Sequence, residues 1–156
     1  MPLPEEIVRF IGRTTSTTYE VERGAIARFA EAVGDPNPLY RDVEYAGKSR
    51  YCSIIAPPGF FGWPVKGGEP SDDLVALVSQ LSTAGYGRIL DGGIEWEFFK
   101  PVHAGDKLAV TSLVKNIVER SGKTGKVLFV FRDITYTNQK GEVVATARQT
   151  TIHPAS

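Results

Sequence analysis

The sequence contains few of the residues that build cross-linked or metal-held folds, with one cysteine and two histidines among 156 residues. A lone cysteine, Cys52, cannot form an internal disulfide, which excludes a disulfide framework and a cysteine-based zinc cluster. We expect Cys52 to be a small buried apolar residue. His103 and His153 lie far apart and lack the spacing of metal ligands, so we predict no metal site.

The sequence also lacks an excess of one charge and a long apolar run. Its 18 basic side chains balance 18 acidic ones, so no overall field attracts nucleic acid or an anionic membrane. No apolar run approaches the roughly 20 residues that cross a bilayer. The first six residues lack the basic and apolar regions of a signal peptide. We therefore expect a soluble cytoplasmic protein without nucleic-acid or membrane partners.

Motifs for nucleotide binding and for a serine nucleophile are missing as well. There is no Gly-rich dinucleotide fingerprint after a strand, no P-loop and no Gly-x-Ser-x-Gly elbow. The length and the 42% hydrophobic content suffice for one core and little more. We expect a single domain over residues 1–156.

The two halves of the chain differ in their patterns. In the first half, apolar residues spaced by three and four predict an amphipathic helix that Gly34 ends. The second half is rich in Val, Ile, Thr and aromatic residues separated by short turns, which predicts an antiparallel meander. Helices against such a sheet make an α+β fold. The predicted helices are Pro4–Phe10, Glu22–Val33 and Asp72–Leu81, with a further helix opening at Gly59–Trp63, and the predicted strands are Thr14–Val21, Gly93–Lys100, Lys107–Val118, Lys126–Thr137 and Glu142–Ile152.

The densest cluster of chemically distinctive residues runs from Gly34 to Asp42. Two prolines stiffen this segment, and Asp35 and Asn37 place compact polar groups close together. A rigid polar loop after a helix is a common way to hold a reacting group. The same residues also suit a Pro-rich turn in which the two side chains bond their own backbone. The residues alone leave both interpretations open.

This segment resembles the motif Gly-Asp-x-Asn-Pro-apolar-His of the MaoC-like (R)-specific enoyl-CoA hydratases and 3-hydroxyacyl dehydratases. The likeness continues through Ile54–Phe60 and Glu97–Asp106 and covers most of the chain from Thr18 onward. It implies a single hotdog domain, in which an antiparallel sheet wraps around a central helix. It also implies that Asp35, oriented by Asn37, is the carboxylate of an Asp/His dyad that activates water for addition to an enoyl thioester.

Two departures from the family pattern concern this site. Tyr40 stands where the catalytic histidine belongs, and a phenol with a pKa near 10 is a poor general base. Pro58 stands where the family places a backbone N–H that binds the thioester carbonyl, and proline has no such donor. Gly59 carries the nearest remaining N–H. Both departures resemble the N-terminal, FAS1-like dehydratase subfamily, whose members are often the substrate-binding half of a hotdog pair.

The start of the central helix is the expected place for the substrate. Free N–H groups and the helix dipole favour an oxyanion there. The apolar side chains that follow suit either the core or the wall of an acyl tunnel. The predicted substrate-binding residues are Pro57, Pro58, Gly59, Phe60 and Trp63, beside the candidate catalytic residues Asp35, Asn37 and Tyr40.

The resemblance therefore implies three functions of different kinds. The first is a hydratase or dehydratase acting on acyl-CoA or acyl-carrier-protein thioesters, with no cofactor because the thioester acidifies the neighbouring carbon. The second is a non-catalytic substrate-binding subunit, which Tyr40 favours. The third is a thioesterase, which ranks low because residues 59–63 carry no carboxylate. Hotdog sheets pair edge to edge, so we expect a homodimer or a heterodimer with another hotdog chain.

Overall fold

The computed structural model describes residues 3–60, 72–123 and 125–156. These residues form an α+β fold in which one five-stranded antiparallel sheet is covered on one face by helices, as the sequence predicts. The helices are α1 (Glu5–Val8), α2 (Arg23–Ala32), α3 (Val43–Lys48) and α4 (Asp72–Thr83), and the strands are β1 (Thr14–Glu20), β2 (Leu90–Phe98), β3 (Lys107–Gly122), β4 (Gly125–Thr137) and β5 (Val143–Pro154).

The strand order is β1-β3-β4-β5-β2, which departs from a complete meander. Strands β3, β4 and β5 are consecutive neighbours, but β2 pairs with β5 and not with β3. The segment between β2 and β3 forms no hairpin because its backbone bonds another part of the chain. The Ala56 N–H donates to the Val102 carbonyl at 2.8 Å, and the Ala104 N–H donates to the Ile54 carbonyl at 2.9 Å.

Two apolar clusters form the core between the sheet and the helices. The first joins α2, through Ile26 and Ala30, to the β3, β4 and β5 ends that lie beside residues 54–60. The second joins α1 and α4 to the middle of β3 and the start of β4. Leu128 in the second cluster has no solvent exposure, and burying a side chain of this size stabilises a fold by about 1.5–3 kcal/mol. In the described parts of the chain, no helix is long and apolar enough to span a membrane.

Two local expectations need correction. Cys52 is exposed, and it adopts a positive φ of 60° in the turn after α3, so it is not the buried apolar residue that we expect. The helix α3 lies between Pro38 and Pro57, where the sequence pattern predicts no helix. It begins after Asp42, whose carboxylate accepts the Tyr45 N–H at 2.9 Å and caps the helix.

Candidate functional site

The Asp35 loop begins where α2 ends in a left-handed turn. Gly34 has φ 71°, which a glycine adopts without steric cost. The Asp35 N–H then reaches back to the Ala30 carbonyl at 2.8 Å, and the Gly34 N–H bonds the Glu31 carbonyl at 3.0 Å. This closure is the common glycine-ended helix C-terminus. It fixes the position of Asp35 directly after the helix, as the sequence predicts.

The polar side chains of the loop bond their own backbone. Asp35 Oδ1 accepts the Asn37 N–H at 3.0 Å, and Asn37 Oδ1 accepts the Leu39 N–H at 3.1 Å. Asn37 thereby caps the short 3-10 helix Pro38–Tyr40. The Arg41 guanidinium donates to the Asp35 carbonyl oxygen at 2.6 Å. The residues alone leave two interpretations open. The observed hydrogen bonds match the one in which Asp35 and Asn37 bond the backbone of their own turn.

Tyr40 is buried, with 8% of its surface exposed. Burial raises the pKa of its phenol, and the nearby Asp35 carboxylate and Tyr51 hydroxyl raise it further. The phenol therefore stays protonated at neutral pH and can donate a hydrogen bond but cannot accept a proton from water. Tyr51 belongs to this site although no spacing in the sequence points to it, because the turn after α3 brings it beside Tyr40.

The Pro57–Phe60 segment lies next to this loop. The Ile55 N–H donates to the Leu39 carbonyl at 3.4 Å, which joins the two segments. Pro57 is buried and Pro58 is exposed. The Phe60 N–H is occupied by the Pro57 carbonyl at 3.1 Å. The structure therefore brings the two predicted groups of site residues together.

Gly59 and Phe60 have different surroundings. Gly59 has φ 83°, its N–H meets no acceptor in the described parts of the chain, and the side where a Cβ would stand is open. Among the described residues it is therefore an unpaired donor. Phe60 is 1% exposed and packs edge-on against Phe29 with ring centroids 5.7 Å apart. Trp63 lies outside the described residues, as does most of the helix predicted to open at Gly59–Trp63.

Two cavities lie elsewhere among the described residues. One is lined by residues of the turn after α1 and of β1, α4, β3 and β4, and includes Arg132. The other is a shallow depression on β2, β4 and β5, lined by residues that include Glu95 and Arg148. Neither is lined by Asp35, Tyr40 or Gly59. Within the described ranges, no three side chains of the metal-binding types lie close enough to hold an ion.

Sequence comparisons place the chain among dehydratases. The profile of the FAS1-like dehydratase domain region matches residues 9–147. A UPF0336 protein of Saccharopolyspora erythraea is 37% identical over 154 residues, which cover 97% of this chain and 92% of that protein. A probable enoyl-CoA hydratase alpha subunit of Thermomonospora curvata is 32% identical over 132 residues, which cover 79% of this chain and 41% of that protein.

Structural comparisons agree on the fold. A chain of the ChsH1-ChsH2 complex of Mycobacterium tuberculosis superposes with a TM-score of 0.77 at 20% identity, covering 97% of this chain and 95% of that chain. A chain of the HadBC complex, a 3R-hydroxyacyl-ACP dehydratase of Mycobacterium tuberculosis, superposes with a TM-score of 0.70 at 26% identity, covering 92% of this chain and 96% of that chain. The sheet with helices on one face is thus a hotdog fold, and the chain belongs to the FAS1-like dehydratase family.

Proposed function

We propose that this chain is the acyl-thioester-binding subunit of a heteromeric (R)-specific enoyl hydratase or 3-hydroxyacyl dehydratase. Hydration needs a group that takes a proton from water and returns it to the substrate. The observation that carries the proposal is the raised pKa of Tyr40, which stands where the family has its catalytic histidine. Its pKa is raised above that of an ordinary phenol, so it remains protonated when the reaction would require a base. In this proposal the general base comes from another chain.

The same geometry gives the Asp35 loop and the Pro57–Phe60 segment distinct roles. Asp35 and Asn37 hold the loop rigid through their backbone hydrogen bonds. The Gly59 N–H, which meets no acceptor among the described residues, is the donor we assign to the thioester carbonyl, because a fixed donor suits a developing oxyanion. Pro57 and Pro58 fix the approach of the chain to Gly59. We assign Phe60 and Trp63 to the apolar wall that receives the acyl group.

We assign the partner to the exposed edge of β2. The chain has two edge strands, β1 and β2, and β1 is built largely of Thr and Ser. At β2, by contrast, Leu90 and the neighbouring Ile89 and Phe99 are 40–50% exposed. An exposed edge with apolar side chains is a ready site for strand pairing. Two related solved structures are complexes of two hotdog chains, so the partner we propose is a second hotdog chain carrying an intact Asp/His dyad.

The test is an assay of the purified chain with crotonyl-CoA, following the loss of enoyl absorbance. We expect no turnover by the chain alone, and turnover when a hotdog chain with an intact Gly-Asp-x-Asn-Pro-apolar-His motif is added. A location in the cytoplasm and a role in fatty acid metabolism belong to the same proposal. Release of a free thiol in place of hydration would favour a thioesterase.

A second candidate is a hydratase that works without a partner. It is favoured by Asp35, which is partly exposed and uses one carboxylate oxygen to accept the Asn37 N–H. In the described parts of the chain, its other oxygen accepts no hydrogen bond. Turnover by the chain alone that disappears in the Asp35→Ala variant would select this candidate over the first.

A further inference from the structure

The inner face of the sheet carries a polar position between its two apolar clusters. Side chains of β4 alternate between the faces, which places Leu128, Val130, Arg132, Ile134 and Tyr136 together under the helices. Leu128 and Val130 belong to the second cluster, whereas Ile134 and Tyr136 belong to the first. Arg132 therefore lies at the boundary, where every other residue of this row is apolar or aromatic.

The Arg132 guanidinium is held without a carboxylate. Its Nη2 donates to Oε1 of Gln149, the residue directly opposite on β5. Burial lowers the pKa of Arg132, and Tyr136 opposes part of this effect. In the described ranges, no carboxylate forms an ion pair with Arg132. Asp73 lines the same cavity, but its carboxylate pairs with Arg13 at 3.3 Å. A guanidinium has five N–H donors, so the Gln149 contact leaves most of them for another acceptor.

A cavity adjoins this arginine. Its volume is about 20 Å³, which is room for one water-sized group. Polar lining comes from Arg132, Ser112, Thr15 and the ion pair of Arg13 with Asp73, and the apolar lining includes Leu77 and Val114. The cavity thus combines an apolar wall with a half-buried cation, which is a place for an oxygen atom carried on a hydrocarbon chain.

We propose that Arg132 and Gln149 select acyl chains that carry an oxygen acceptor, above all a carboxylate, far from the thioester. The inference rests on the proposed function, since it needs an acyl chain on the inner face. Phe60, next to Gly59, shares a cluster with Tyr136. Arg132 is four residues from Tyr136 along β4, about 13 Å at the rise of a strand. Only a long acyl chain would bring its far end to the cavity.

The experiment compares two ligands of equal length on the full chain, alone and with its hotdog partner. Dodecanoyl-CoA and 11-carboxyundecanoyl-CoA differ only in the terminal carboxylate, and calorimetric titration gives each Kd. A hydrogen bond to a charged group contributes about 1.5–3 kcal/mol. We therefore expect the carboxylate ligand to bind about 10- to 100-fold more tightly, and Arg132→Met to abolish that preference while leaving the Kd of dodecanoyl-CoA nearly unchanged.

Two further variants separate recognition from a structural role. Gln149→Leu removes the partner of the guanidinium and should reduce the preference, and Arg120→Met removes an exposed arginine from β3 and should preserve it. Equal binding of the two ligands by the unaltered chain would overturn the inference and leave the proposed function intact. Equal weakening of both ligands by Arg132→Met would also overturn it, because Arg132 would then only support the fold. Binding of neither ligand would overturn the proposed function together with it.

Discussion

The packing of β2 against β5 depends on a glycine that has no room for a side chain. A Cβ on Gly92 would stand 2.9 Å from the Thr150 carbonyl oxygen and 2.9 Å from Cγ1 of Ile152. The carbonyl belongs to the backbone of β5 and cannot rotate away. The sheet has an irregularity in the β2–β5 register between Asp91 and Gly93, so Gly92 is the residue that lets the strands approach at this bulge.

The Gly92→Ala substitution should therefore lower stability. Overpacking of this kind costs about 1–3 kcal/mol, and the smaller conformational freedom of the unfolded chain returns about 0.4–1 kcal/mol. Gly47→Ala is the matched control, because a Cβ there meets nothing within 4 Å and the residue lies in α3. That control should gain about 0.5–1 kcal/mol, since alanine favours a helix.

The difference between the two variants isolates the strain, because both add the same methyl group. Urea unfolding at one protein concentration measures it as a shift in midpoint at constant slope. A chain of this size loses about 2–4 °C of Tm for each kcal/mol, so thermal melts give an independent reading. Identical midpoints for Gly92→Ala and Gly47→Ala would show that β2 and β5 leave room for a Cβ at residue 92, which would refute this reasoning.

Three other outcomes follow from the structure. Burial lowers the pKa of His153; Arg132 lowers it further, and a hydrogen bond with the Tyr86 backbone partly offsets the shift. As the pH falls, the unfolded chain therefore binds the proton first, and the stability of the fold should decrease below pH about 6.5. The Tm of the unaltered chain should fall between pH about 7 and about 5, and the Tm of His153→Gln should fall less. An equal fall in both proteins would contradict this. Leu90→Lys places a charge in the proposed interface and should weaken association with the hotdog partner at least about tenfold. Val75→Lys, at an exposed position of α4, should leave this affinity unchanged. Equal affinities of the two variants for the partner, measured by sedimentation, would count against the β2 edge as the interface. Asn37→Ala removes the cap of the 3-10 helix and should cost about 0.5–2 kcal/mol, read from denaturant midpoints, and a cost near zero would mean that the loop does not need this cap.

The features that the sequence predicts well are those set by local patterns. The helix α2 follows the three-and-four spacing of its apolar residues, and Gly34 ends it because glycine tolerates a positive φ. Strands β3, β4 and β5 follow from their β-branched runs and turns. The helix α3 had a local signal as well, in Asp42 standing three residues before the Tyr45 N–H that it caps, but the surrounding prolines obscured it.

The features that the sequence does not predict depend on distant contacts. The pairing of β2 with β5 is set by residues more than 40 positions apart, and the turn after β2 bonds Ile54 and Ala56 instead of closing a hairpin. The exposure of Cys52 depends on the turn that follows α3. Arg132 did leave a trace, as a charge at an inward position of an alternating strand, but only the packed helices show that it is half-buried.

The central claim is that the proton-transferring groups lie in the partner and not in this chain. The most direct measurement is the rate of enoyl-CoA hydration by the reconstituted complex, with one substitution in each chain in turn. We expect that replacing the histidine of the partner's dyad by alanine abolishes turnover, whereas Asp35→Asn in this chain leaves kcat within a few-fold. Loss of turnover with Asp35→Asn, in a complex that still assembles and melts like the unaltered one, would contradict it.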